Sequence, residues 1–283
     1  MVNSDKSNLI ISDSKGAWFR ATILFILALI GTVGMWSVVV FIPDIEREFN
    51  LDRGTSSLLY AFTMIGFGFG TVVIGKIYDK FGIKKPILLA TIVLIACYYL
   101  YSIFPFYWQF LTLQFFMGFA ASAFFGPAMA DISNYFNKQR GFALSIVASA
   151  NYVAGATWPL LIGYFLKFID WRTTHFWISI CLLIMIPLIL LLKNASVDES
   201  KFQDTKQRYK DIKLNLSNNQ IQVLLMLAGI CCCVAMAMPQ VHMVALCVDN
   251  GFGLQVGTEI LAVMLYSGML SLSLIHISEP TRH

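Results

Sequence analysis

The residues with chemical capacity in this chain are few and widely spaced. One run concentrates them: Gly75-Lys76-Ile77-Tyr78-Asp79-Lys80-Phe81-Gly82-Ile83-Lys84-Lys85. Gly75 permits close helix approach, Gly82 permits a tight turn, and the Asp79 carboxylate can pair with a cation or a helix N-terminus. The lysines of this run can equally be topogenic, marking the side of a membrane on which the loop lies. Asp131 is expected to pair with Arg140 or with the Lys80 loop, a gate role for Asp131 and Arg140 rather than a substrate role. A second group consists of polar and aromatic side chains set in apolar surroundings: Trp36, Tyr60, Gln114, Asn151, Trp158, Gln240 and His242. Asn151, Gly155 and Trp158 share one helix face by their spacing, and an amide facing lipid is costly. These seven are the candidates for a substrate cavity. Structural roles are open to them too, as interhelical hydrogen bonds for Asn151 and Gln114 and as packing or interface aromatics for Trp36 and Tyr60. His242 is read as the only histidine well inside an apolar stretch, where an imidazole can couple proton movement to another event or simply sit satisfied at an interface.

Covalent and metal chemistry find little footing. All six cysteines lie in apolar stretches, and the consecutive Cys231, Cys232 and Cys233 would project about 100° apart on a helix and cannot converge on one ion. They are read as small hydrophobes. No catalytic residue, metal or cofactor is expected. An intramembrane serine protease would need a serine within reach of a histidine, and no glycine-flanked serine motif accompanies His242.

The elements that must position these residues follow from charge. The 283 residues are 58% hydrophobic and 13% charged, with a net charge of +4. Uncharged intervals run 21–43, 54–75, 86–130, 141–166, 173–192 and 214–248. A membrane helix needs about 20 apolar residues, so the intervals hold one, one, two, one, one and one spans, and an eighth begins near Gln255. The spans are placed at 19–43, 55–75, 86–104, 107–132, 140–166, 174–193, 219–248 and 255–271, with Pro43, Pro86 and Pro105 marking ends. Such a composition excludes a soluble enzyme, a DNA-binding domain and a disulfide-rich secreted module. The basic residues alternate from loop to loop, fifteen on one side and four on the other. By the positive-inside rule this predicts a multi-pass protein of the plasma membrane with a cytoplasmic N-terminus. Its surroundings are lipid, no nucleic-acid partner is implied, and a monomer is expected.

On these residues the chain resembles the major facilitator superfamily. The Gly75–Lys85 run is similar to that family's signature loop after the second helix, Gly-x-x-x-Asp-Arg/Lys-x-Gly-Arg/Lys-Arg/Lys, which in the family helps to lock two helical bundles on the cytoplasmic side; the resemblance implies that Gly75, Asp79, Lys80 and Gly82 are conformational-gate residues. Asn134-Tyr135-Phe136, Arg140-Gly141-Phe142-Ala143, Gly155, Trp158-Pro159, Gly163 and Asp170-Trp171-Arg172 resemble the fourth-to-sixth helix stretch of the monocarboxylate and oxalate-formate branch. Pro239-Gln240-Val241-His242 and Cys247-Val248-Asp249-Asn250-Gly251 look like the outer end of its seventh helix. The sequence departs from the family at Gln114, where many proton-coupled members carry arginine. Gly155 and Pro159 only partly echo the antiporter signature.

The resemblance implies an all-α membrane fold with a six-helix bundle over 1–193, a cytoplasmic linker over 194–218 and the first two helices of a second bundle over 219–271. Residues 272–283 resemble a translated sequencing-library adapter and are expected to be a non-native tail, so that the second bundle is cut in its eighth helix and this fragment by itself does not transport. The implied function is secondary transport of a small organic anion, a monocarboxylate or short dicarboxylate, by proton symport or exchange for a counter-anion. A drug or sugar facilitator is the alternative within the family, and a non-transporting membrane receptor is the alternative outside it.

Overall fold

The computed structural model describes residues 13–192 and 217–278, and its regular elements are all helical. Among the described residues, eight helices are long and apolar enough to cross a bilayer: Lys15–Phe49, Arg53–Phe81, Lys84–Ile103, Tyr107–Ser133, Arg140–Phe165, Trp171–Leu191, Asn219–Asp249 and Gly253–Ser271. They are numbered here as the first to eighth spans. Most of the expected linker lies outside the described residues. The helix of the eighth span continues to Ser278, while the side chains of the expected tail and residues 279–283 also lie outside the description.

Two expectations about prolines and glycines are corrected. Pro43 does not end the first span. The helix runs on to Phe49 and stops where Asn50 turns left-handed at φ 51°, because a helix packed in protein can absorb a single missing N–H. The span is broken at Thr32 instead, whose hydroxyl donates to the Ala28 carbonyl at 2.7 Å. The Phe124 ring fills the space beside Gly31 that a side chain there would occupy. Gly75, expected to bring two helices together, faces open space. The run from Gly75 to Phe81 is helix, not loop, and Gly82 at φ 73° caps it. The tight turn expected of that glycine is therefore where the sequence put it. Pro86 lies in the first turn of the third span, where a missing N–H is cheap, and Pro105 lies in the link after it.

Close approach is made by other small residues. A methyl group at Gly66 would overlap the Phe115 carbonyl, and one at Gly118 would overlap the Thr63 carbonyl. The second and fourth spans thus touch backbone to backbone, as small residues permit in lipid. The first span is the most buried of the eight. Phe41 within it, and Tyr98, Tyr101 and Phe110 of the third and fourth spans, are among the largest side chains with no exposure.

The short links between spans make successive helices alternate in direction. One end of the molecule therefore carries the Gly82 turn and the other carries Arg53 and Asp249. The eighth span runs along the fifth: Gly163 faces Thr258, Gly155 faces Leu265 and Gly268 faces Tyr152. The seventh span packs on the eighth, with Gly257 against Val244. Val223, Leu224, Leu225, Met226 and Leu227 of the seventh span are exposed.

Candidate functional site

The first and fifth spans bring three of the seven cavity candidates together. The Trp36 indole N–H donates to Asn151 Oδ1 at 3.1 Å, and the Trp158 indole N–H donates to the Leu29 carbonyl at 2.9 Å. Gly155 makes room for the arrangement, since a methyl group there would meet the Trp36 ring on one side and Leu265 of the eighth span on the other. First, fifth and eighth spans therefore converge at one point. Thr157 and Tyr266 join their hydroxyls at 3.0 Å on the same seam.

The other candidates are dispersed. Gln114 is buried inside the first six spans, where its Oε1 accepts from the Thr63 hydroxyl at 2.9 Å and its amide N–H donates to the Tyr101 oxygen at 3.4 Å. It has the interhelical bonds that its structural alternative calls for. Tyr60 is half-buried in the second span. Gln240 is buried but His242, two residues on, is exposed, as positions nearly opposite on a helix must differ when one side is packed.

The buried histidine is a different one. His175, in the sixth span, has no exposure, which corrects the reading of His242 as the only histidine well inside a span. Its ring stacks on Tyr101 at 4.4 Å and an interplanar angle of 4°, with Phe41 at 4.1 Å. Nδ1 lies 2.8 Å from the Trp171 carbonyl, which can only accept, so Nδ1 carries the proton. Nε2 has no hydrogen-bond partner among the described residues.

At the end with the Gly82 turn, Asp79, Lys80 and Arg140 are all exposed and form no ion pair among the described residues. Asp131 does not pair with Arg140 or with the Lys80 loop. It holds Arg20 of the first span, with Nε at 2.6 Å from Oδ2 and Nη2 at 2.9 Å from Oδ1. Arg140 fails because it opens the fifth span on its exposed side, whereas Arg20 is about one turn into the first span and nearly fully buried. The Arg20 guanidinium also lies 4.6 Å from the centre of the Tyr135 ring. Nearby, the Asp13 carboxylate accepts from the backbone N–H groups of Asn137, Lys138 and Gln139 at 3.2 to 3.3 Å. Partial burial pushes its pKa up, but those three N–H groups and the Lys138 charge outweigh it and hold the carboxyl below its ordinary range.

At the opposite end two carboxylate and arginine groups are built. Glu48 accepts from Arg172 at 2.6 Å and from the Trp171 indole at 2.8 Å, entirely within the first six spans. Arg53 is shared. Its Nε lies 3.3 Å from Glu46 of the first span, and its Nη2 reaches both carboxylate oxygens of Asp249 in the seventh span at 2.7 and 2.8 Å. Arg20 and Arg53 are among the basic residues whose count by loop sets the topology, and that count gives them no partner; His175 carries no local signal of burial. A detectable signal existed for Arg20, because a lone arginine opening one long uncharged interval and a lone aspartate closing another are natural partners in lipid.

The Major Facilitator Superfamily profile matches residues 24–278. Over 156 residues the chain is 28% identical to the agnestins efflux protein of Paecilomyces divaricatus, covering 53% of this chain and 35% of that protein. Over 197 residues it is 24% identical to the benzoate transport protein of Acinetobacter baylyi, covering 66% of this chain and 42% of that one. The chain thus spans less than half the length of either relative. The inward-open xylose transporter XylE of Escherichia coli superposes with a TM-score of 0.59 at 13% identity, covering 94% of this chain and 69% of that one.

Proposed function

The chain belongs to the major facilitator superfamily, and from that premise we propose that the intact protein moves a small organic anion along the seam between its first six spans and the spans that follow. The observation that carries the reading is the convergence of Trp36, Asn151 and Gly155 with Leu265 on that seam; a seam of this kind is what substrate binding between two rocking halves calls for. The 24% identity to a benzoate transport protein supports a carboxylate substrate, in line with the resemblance to the monocarboxylate branch. Trp36, Asn151, Trp158, Tyr60 and Gln240 are the proposed lining. The proposed gate at the Gly82 end comprises Asp79, Lys80, Gly82, Asp131 and Arg140, with Asp131 acting through Arg20. Proton symport or counter-anion exchange, a monomeric state and a plasma-membrane location with a cytoplasmic N-terminus belong to the same reading.

A second reading is export of an uncharged, largely apolar compound. It is favoured by the efflux protein among the relatives and by the seam itself, where indoles and an amide meet without a cation beside them. The test uses the intact gene product in proteoliposomes with an imposed proton gradient. Saturable uptake of labelled benzoate, reduced at least tenfold by Asn151→Leu, is expected. Uptake of uncharged aromatic compounds in preference to benzoate would decide for the second reading, and ligand binding without flux would decide for a receptor.

A further inference from the structure

Arg53 is held by two carboxylates on parts of the molecule that must separate if the halves move. Glu46 is in the first span, within the same six-helix unit, and its side chain is 15% exposed; it also accepts from the Ser56 hydroxyl. Asp249 ends the seventh span, and its side chain is 56% exposed. Among the described residues this is the one ion pair that joins the first six spans to the last two, and it lies at the end opposite the Gly82 turn.

We propose that Glu46 and Asp249 compete for Arg53, making this triad a two-position latch rather than a strut. With the seam closed, Arg53 gives Nη2 to both carboxylate oxygens of Asp249 and Nε to Glu46. When the seam opens, Asp249 returns to water, which its exposure makes cheap, and Arg53 passes to Glu46 instead of being stranded. Nε and Nη2 share one edge of the guanidinium, so Nη2, once released by Asp249, completes a bidentate contact with the Glu46 carboxylate already at Nε. Opening then exchanges one carboxylate for another. The two carboxylates act in opposite directions: Asp249 holds the seam shut and Glu46 draws the arginine away.

This inference rests on the transporter reading, since it requires the halves to move. The experiment places spin labels at Leu58 and Phe252, both exposed and flanking the latch, in a background with the native cysteines replaced. The full-length protein is reconstituted in nanodiscs and the distance is read by pulsed electron resonance. Asp249→Asn should raise the long-distance population about two- to fivefold, the range expected for a partly exposed pair. Glu46→Gln should lower it by a similar factor, and that effect should vanish when combined with Asp249→Asn, because no competitor remains. Unfolding midpoints of the three variants identify any that has lost its fold, and Glu46→Asp serves as the replacement for a misfolded Glu46→Gln, with a weaker shift of the same sign. If Glu46→Gln lengthens the distance as Asp249→Asn does, the triad is a simple strut and the competition is refuted. If the distance is single and no variant shifts it, movement at this seam, and with it the transporter reading, fails.

Discussion

The buried pair between Arg20 and Asp131 gives the sharpest test of how the first six spans are held. Asp131→Asn keeps the size of the side chain and removes its charge. Arg20 then faces a neutral amide at the 2.6 and 2.9 Å contacts it now makes with a carboxylate, with side-chain exposures of only 4% and 7% to relieve it. Removing one partner of a buried pair costs about 3–5 kcal/mol, because the other charge stays desolvated and uncompensated. Arg20 is near a span end and can move its head group toward water, so the lower figure, about 3 kcal/mol, is expected. That is more than a hundredfold in the unfolding equilibrium at 1.4 kcal/mol per decade. The assay is reversible unfolding in mixed micelles with increasing denaturing detergent. Two comparisons isolate the pair. Arg140→Ala removes the partner first expected for Asp131 and should leave the transition in place. Arg20→Met with Asp131→Leu removes both charges and should lose less than Asp131→Asn alone. A loss below about 1 kcal/mol for Asp131→Asn, the size of a surface pair, would refute the reasoning, as would a double variant worse than the single one.

Other outcomes follow from the same contacts. Gly118→Ala would drive a methyl group into the Thr63 carbonyl and should destabilise by about 1–3 kcal/mol through overpacking, whereas Gly75→Ala, facing open space, should have no such cost in the same unfolding assay. Asp13 has a depressed folded-state pKa, so its contribution is present above the ordinary carboxylate value and fades as pH falls through the lower folded value. Asp13→Asn should therefore lower the unfolding midpoint at pH 7, with the gap to the parent narrowing under acid conditions. His175→Phe should change stability by less than about 1.5 kcal/mol, since it gives up one hydrogen bond to Trp171 but retains the stack on Tyr101 and removes an unsatisfied nitrogen. A larger loss in the detergent assay would mean that Nε2 has a partner in the membrane.

The spans were legible because lipid imposes a simple rule on length and charge, and the uncharged intervals located seven of the eight. The rule is blind to what happens inside a helix. It could not foresee the break at Thr32, beside which the Phe124 ring of the fourth span packs on Gly31, nor the continuation past Pro43. The Gly82 turn was readable because a positive φ selects glycine locally, while the duty assigned to Gly75 depended on a neighbour that is not there. Trp36, Asn151 and Gly155 were legible as separate signals. Their meeting was not, because it requires spans that are far apart in sequence to converge. Charge partners were the least legible, since topology counting treats every arginine alike and Arg20, Arg53 and Arg140 occupy three different situations.

Those situations set an order of events. The pair of Arg20 and Asp131 is buried, bidentate and internal to the first six spans, so losing it is expensive. The pair of Arg53 and Asp249 is as short but partly exposed and spans the seam, where water replaces the lost contact and the net value falls to about 0–1 kcal/mol. The intimate contact of Gly66 with Phe115 and of Gly118 with Thr63 likewise lies inside the first six spans, whereas the seam itself is lined by side-chain contacts such as Gly163 with Thr258 and Thr157 with Tyr266. Stress applied across the molecule therefore parts the seam before it deforms the first six spans. A rigid unit moving against its neighbour requires that order, and here it is produced by where the buried charge and the backbone contacts lie.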